Sequence, residues 1–155
     1  MPTPTTAHDV ARYFLAMQDE DAGELISNLK LQKLLYYAQG FHLALFGVPL
    51  FSDRIKAWRY GPVVPDVWHR YKEADWGPIE KPADFDLGRY DPQTRELLDE
   101  VNRVYGQFSA AKLRDMTHEE PPWREAWARV EAGEGDDEVQ PAAMRGYFAT
   151  LIEPS

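Results

Sequence analysis

From Ser27 to Gly47 the chain reads SNLKLQKLLYYAQGFHLALFG, a stretch that fits a buried helix and little else. Leu31, Leu34, Leu35, Ala38, Phe41 or His42, and Leu45 recur at the i, i+3, i+4, i+7 spacing of one helix face, with a period of about 100° per residue rather than the 180° of a strand. Ser27 or Asn28 supplies a side-chain oxygen for the free N–H groups of the first turn, and Gly47 suits the left-handed turn that ends a helix. Leu29, Tyr36, Tyr37, Leu43 and Phe46 extend the apolar stripe almost all the way round, leaving Lys30, Gln32, Lys33 and Gln39 as breaks in the coat. A helix apolar on most sides belongs in the middle of a domain.

The remaining segments read as elements packed around that helix. Thr6 with Asp9 forms a capping-box pattern before Val10, Tyr13, Phe14 and Met17, so a short helix is expected there. The acidic tract Asp19, Glu20, Asp21 and Glu24 reads as a solvated loop. Arg54 to Tyr60 alternates weakly and predicts a short strand or an extended strap, stopped by Gly61-Pro62-Val63-Val64-Pro65. Pro65 suits the first turn of the next helix, with Val67, Trp68 and Tyr71. Residues 73–90 read as a long surface loop. Asp91-Pro92 opens a helix through Leu97, Leu98, Val101, Val104 and Tyr105, and Ser109 caps a shorter one through Leu113 and Met116. Trp123, Ala126, Trp127 and Val130 form a further helix face. Pro141 opens the last helix, with Met144, Tyr147, Phe148 and Leu151 inward. The expected fold is mainly α: one domain over residues 1–155, of six or seven helices around a central helix at 27–46, with at most a short strand near 54–60. Flexible segments are expected at 1–5 and at 131–139, where five carboxylates gather between Glu131 and Glu138.

A chain of 155 residues can bury about two-thirds of its surface without disulfides or a metal. It contains no cysteine, which removes thiolate chemistry and disulfides and fits a reducing compartment. No run approaches the roughly 18 apolar residues of a membrane span, and Met1 to Thr6 lacks the charge and apolar core of a signal peptide. A cytoplasmic location and no membrane partner are expected. The formal net charge of −9 repels a phosphate backbone, which makes nucleic acid an unfavoured partner.

No phosphate-binding glycine loop, nucleophile elbow or zincin motif is present. The four histidines, His8, His42, His69 and His118, are scattered, and His118-Glu119 meets Pro122 where a second metal-binding histidine would have to stand. No catalytic residue, metal ligand or cofactor site is therefore assigned. His42 reads as a hydrogen-bonded boundary residue, His8 and His69 as helix-surface residues, and His118 as structurally fixed. Tyr36, Tyr37 and the five tryptophans read first as core. Trp58, Arg59 and Tyr60 combine aromatic and arginine character suited to a protein contact. Lys30, Lys33 and Arg59 form either a small basic site or ion pairs with the acidic tracts.

Four segments together resemble a known family. Asn28 through Gly40, carrying Lys30, Leu31, Gln32, Lys33, Leu34, Tyr36 and Tyr37, is similar to the signature helix of the Panacea domains of SocA-like antitoxins, once grouped with phage-associated GepA-like proteins. Pro49-Leu50-Phe51 with Ala57-Trp58-Arg59-Tyr60-Gly61-Pro62-Val63 resembles a second block of that family. Leu113 to Thr117-His118 with Pro122-Trp123 resembles a third, and Arg145-Gly146-Tyr147-Phe148 the closing helix. The resemblance implies an antitoxin of a bacterial or phage toxin–antitoxin system. It would bind a cognate toxin encoded nearby, and one branch of the family is associated with delivering its toxin to the ClpXP protease. Contact with the toxin is expected at an exposed edge bearing Lys30, Lys33, Tyr37, Trp58, Arg59 and Tyr60. Leu31, Gln32, Leu34, Tyr36, Gly61, Pro62, Thr117, His118, Pro122 and Trp123 are expected to be structural. Two competing readings are a small enzyme built on His118 with Asp115 and Glu120, and a regulator that binds nucleic acid.

Overall fold

The computed structural model of the chain describes residues 5–19, 21, 25–74 and 77–152. Among these it has seven α-helices: α1 (Ala7–Ala16), α2 (Asn28–Phe46), α3 (Pro65–Tyr71), α4 (Pro92–Tyr105), α5 (Ala110–His118), α6 (Pro121–Glu131) and α7 (Pro141–Ala149). The ends follow the capping chemistry of the sequence. Thr6 accepts from the Asp9 N–H while Asp9 accepts from the Thr6 N–H, and Ser27, Asp91 and Ser109 each accept from the backbone N–H three residues on. Gly47 closes α2 at φ 75°, in the left-handed region where a Cβ would be strained.

Helix α2 is the axis of the domain. Every residue from Leu31 to Gly40 is buried, and α1, α3, α4, α5 and α7 all pack on it. The closest approach is to α7. A Cβ on Gly40 would lie 2.2 Å from the Phe148 ring, so the glycine is the notch that lets α7 seat. Phe148 then meets Tyr36, Tyr37 and Phe41 edge-on, with ring centroids 5.4, 5.9 and 4.8 Å away, the favoured geometry for aromatic quadrupoles. No helix of the described residues is long and apolar enough to cross a membrane.

The strap expected at 54–60 is the first half of a hairpin. β1 (Lys56–Trp58) pairs antiparallel with β2 (Gly61–Val63) in the register Lys56–Val63, Ala57–Pro62 and Trp58–Gly61. The segment read as a stop is thus the second strand. Ladder bonds alternate between pairs, and Ala57–Pro62 falls at the position where no N–H is asked of the proline. Ala57 instead turns its N–H outward to the Asp137 carbonyl at 2.7 Å, and the Val139 N–H donates to Ile55 at 2.8 Å. The end of the acidic loop 131–139 therefore runs beside β1, with Lys56 paired to Asp137 at 3.1 Å. The loop 73–90 is likewise tied down in part. Ile79 is buried and its N–H donates to the Ile26 carbonyl. Residues 1–4, Glu20 and Glu24, which the sequence reading placed in loose or solvated segments, lie outside the described residues.

Replacing Gly40 by alanine should test the notch. Alanine favours a helix over glycine by about 1 kcal/mol, yet overpacking should lower stability by about 1–3 kcal/mol, read from urea midpoints. Pairing it with Phe148→Leu should recover part of that loss.

Candidate functional site

The hairpin is seated by residues beneath it. Lys33, one turn before Tyr36 and Tyr37 on α2, extends its amine to the Pro62 carbonyl at 3.3 Å. Gly61 has φ +115°, and a Cβ there would stand 2.6 Å from Lys33 Cε and 3.0 Å from Thr117 Oγ1. Only glycine supplies both that backbone and that space. Thr117 on α5 donates its hydroxyl to the Arg114 carbonyl at 2.8 Å. His118 lies flat on Trp123, ring centroids 4.1 Å apart, and Trp123 stacks in turn on Trp127. The Trp123 indole N–H donates to the Trp58 carbonyl at 3.0 Å, which fixes the end of β1 to α6. Trp58 meets Trp68 edge-on, while Arg59 and Tyr60 form the exposed turn, with the guanidinium 6.0 Å from the Tyr60 ring centre.

Beside this lies a carboxylate in a cage of phenols. Glu120, at the N-cap of α6, turns inward and accepts from the Tyr36 and Tyr37 hydroxyls, both at 2.9 Å, with Tyr147 close by. Burial pushes its carboxyl up to about 7, against the downward pull of Tyr37, Tyr36 and Tyr147. The same burial, reinforced by the Glu120 charge, raises the Tyr36 and Tyr37 phenols. Burial, assisted by the positive charge of Arg114, draws the Lys33 ammonium down to about 7. Burial first, then Arg114 and Lys33, lower His118.

The structure divides the contact edge expected from the sequence. Tyr37 and Lys33 are wholly buried, and Lys30 is nearly so, with its amine donating to the Gly106 carbonyl at 2.6 Å. Lys30, Lys33 and Tyr37 lie on the covered stretch of α2, so the lysines point into the domain, and neither they nor Tyr37 can reach a partner in this conformation. Lys33 answers a backbone carbonyl, and it forms no ion pair with an acidic residue among the described residues. Trp58 remains half-buried, and Arg59 and Tyr60 exposed. Leu31, Gln32, Leu34, Tyr36, Gly61, Pro62, Thr117, Pro122 and Trp123 are buried, and His118 is half-buried. His42 holds the Val48 carbonyl at 2.7 Å.

The groups named for an enzyme are each engaged elsewhere. Asp115 pairs with Arg114, Glu120 sits among tyrosines, and the His118 ring is stacked, its Nε2 buried with no hydrogen-bond partner among the described residues. Among the described residues no group of His, Asp and Glu could hold a metal ion. Two features lie outside what the sequence predicts: the Gln18 side chain, which bonds Leu15, Ile26 and Ile79, and the inward turn of Glu120. The signal for Gln18 was an amide at the end of an apolar helix face.

These features define a helical domain whose central helix holds a small hairpin by buried polar bonds. Residues 31–124 match the family model described as antitoxin SocA-like, Panacea domain, and the chain belongs to that family. Among curated proteins it is 34% identical over 111 residues to Antitoxin SocA of Caulobacter vibrioides (strain NA1000 / CB15N), covering 63% of this chain and 58% of that protein. The chain thus matches under two-thirds of that relative's length. No solved structure matches it.

The buried pair gives opposite pH dependences. Glu120 rises from 4.5 to about 7, so between those values the folded chain keeps a proton the unfolded chain has released. Its contribution to stability is full below pH 4.5 and is lost as pH rises through 7. Lys33 falls from 10.5 to about 7, so its contribution is full above pH 10.5 and is lost as pH falls through 7. The acid arm is on the order of 3 kcal/mol and the alkaline arm on the order of 5 kcal/mol. Glu120→Gln should remove the acid arm and Lys33→Met the alkaline arm, each seen as the wild-type-minus-variant difference in urea stability across pH.

Proposed function

We propose that this protein is an antitoxin that neutralises a toxin encoded beside it by direct binding in the cytoplasm, acting by occupancy and not by turnover. Membership in the SocA-like Panacea family and the name of the Caulobacter relative support the role. The observation that carries the mode of action is the contrast within one motif. Its helix residues are consumed by internal bonds, while the hairpin turn presents Arg59 and Tyr60, the latter 49% exposed, next to half-buried Trp58. Tryptophan, tyrosine and arginine are the side chains that most often dominate protein contacts. The net charge of −9 favours the approach of a basic partner to the chain as a whole. Passing the bound toxin to the ClpXP protease is a further step of the same proposal, and would show as a shorter toxin half-life in cells that have both antitoxin and protease.

The test is co-expression with the product of the adjacent gene. The wild-type chain should restore growth and capture that product. Arg59→Glu with Tyr60→Ala alters only exposed side chains, so the fold should persist while affinity falls at least tenfold and rescue fails. Full rescue by the folded double variant would remove the hairpin turn from the interface. Absence of capture by the wild type would end the antitoxin reading.

A further inference from the structure

A second surface lies away from the hairpin, where α2 and α4 diverge. Phe41 and Leu45 of α2, Leu97, Val101 and Val104 of α4, and Leu151 after α7 line a groove of about 410 Å³. It continues over Leu45, Phe46 and Leu97 into a second hollow of about 330 Å³. Leu45 is 48% exposed and Leu151 41%, and both line the same groove, so they belong to one contiguous apolar patch. From Gln93 to Tyr105 the lining runs about 18 Å along α4, at the helical rise per residue. That matches roughly three turns of a second helix.

The lip of the groove is acidic. Glu100 borders both the apolar floor and the outer hollow, and Glu96 borders the outer hollow. Arg103 pairs with Glu100, and no side chain among the described residues pairs with Glu96. A twofold contact with a second copy would bring the same carboxylates together, which disfavours self-association here. The lip also repels anionic lipid. A helix with an apolar stripe flanked by lysine or arginine satisfies floor and lip together.

We propose that the α2–α4 groove docks an amphipathic, basic helix of a partner protein, a second point of grip beyond the hairpin turn. The proposal rests on the reading that the chain works by binding another protein. Leucines of the docked helix fill the floor over Phe41, Val101 and Val104, and its bases meet Glu96 and Glu100.

The probes are two fluorescein-labelled 14-residue peptides with the same helical leucine spacing, one with lysines and the other with glutamates between them. Anisotropy titration with the full chain should show the lysine peptide binding at least tenfold more tightly. Backbone NMR shifts of the wild type should map its binding to α2 and α4. Leu45→Lys should weaken the lysine peptide at least tenfold, and Glu96→Lys with Glu100→Lys should invert the preference. These positions are exposed, and unchanged circular dichroism confirms folding. Equal binding of the two peptides, binding by neither, shifts confined to other elements, or a dimer abolished by Leu45→Lys would each overturn the proposal. Rescue separates the two readings. Groove failure with wild-type rescue intact leaves the antitoxin reading standing, and peptide docking without rescue sinks the antitoxin reading alone.

Discussion

The domain depends on hydrogen bonds sent outward from a helix buried without a break from Lys30 to Gly40. Buried amide and ammonium groups are costly unless partnered, on the order of 1–3 kcal/mol for each one left unmade. On α2 nearly every such group answers the backbone of another segment. Gln39 donates to the Phe51 carbonyl and accepts from the Leu50 and Phe51 N–H groups. Gln32 accepts from the Val64 N–H and donates to Asn28, which donates to the Trp68 carbonyl. Lys30 takes Gly106 and Lys33 takes Pro62. A register shift of the helix by one residue would break all of these bonds together, so the polar groups fix one packing where apolar contacts alone would tolerate several.

Close approach supplies the other half of that specificity. Gly40 admits Phe148, and Gly61 admits Lys33 and Thr117. The Glu120 cage then ties the start of α6 to α2 through the Tyr36 and Tyr37 hydroxyls. A carboxylate at a helix N-terminus is favoured by the helix dipole. That field, together with the phenolic donors, offsets part of the cost of enclosing it. The same enclosure places its titration near neutrality, and burial brings Lys33 to the same range from the opposite side.

The helices were legible because their signals are local. Thr6 with Asp9, Ser27, Asp91 and Ser109 each act within three residues, and the apolar period of α2 needs no knowledge of its neighbours. The hairpin was half legible, since Pro62 reads as a breaker until its position in the ladder is known. The lysines were misjudged for a different reason. A lysine is a surface residue by default, and what buries Lys33 is a carbonyl 29 residues away and the roof formed by Gly61 and Thr117. Glu120 was visible only as a charge, because its tyrosine partners lie 83 and 84 residues earlier in the chain.

Those misplacements bear on what a motif of this kind reports. Its buried members hold the frame, and changing them disturbs packing or leaves a polar group unpaired, the mechanisms behind large losses of stability. Exposed residues such as Leu45, Tyr60 and Leu151 are under no such constraint, and substitutions at such sites usually shift stability by no more than about 0.5 kcal/mol. A chain built this way can exchange its outer surface without renegotiating its core. A match on the buried members therefore identifies the scaffold, whereas Arg59 and Tyr60, exposed within the same motif, lie outside that packing constraint.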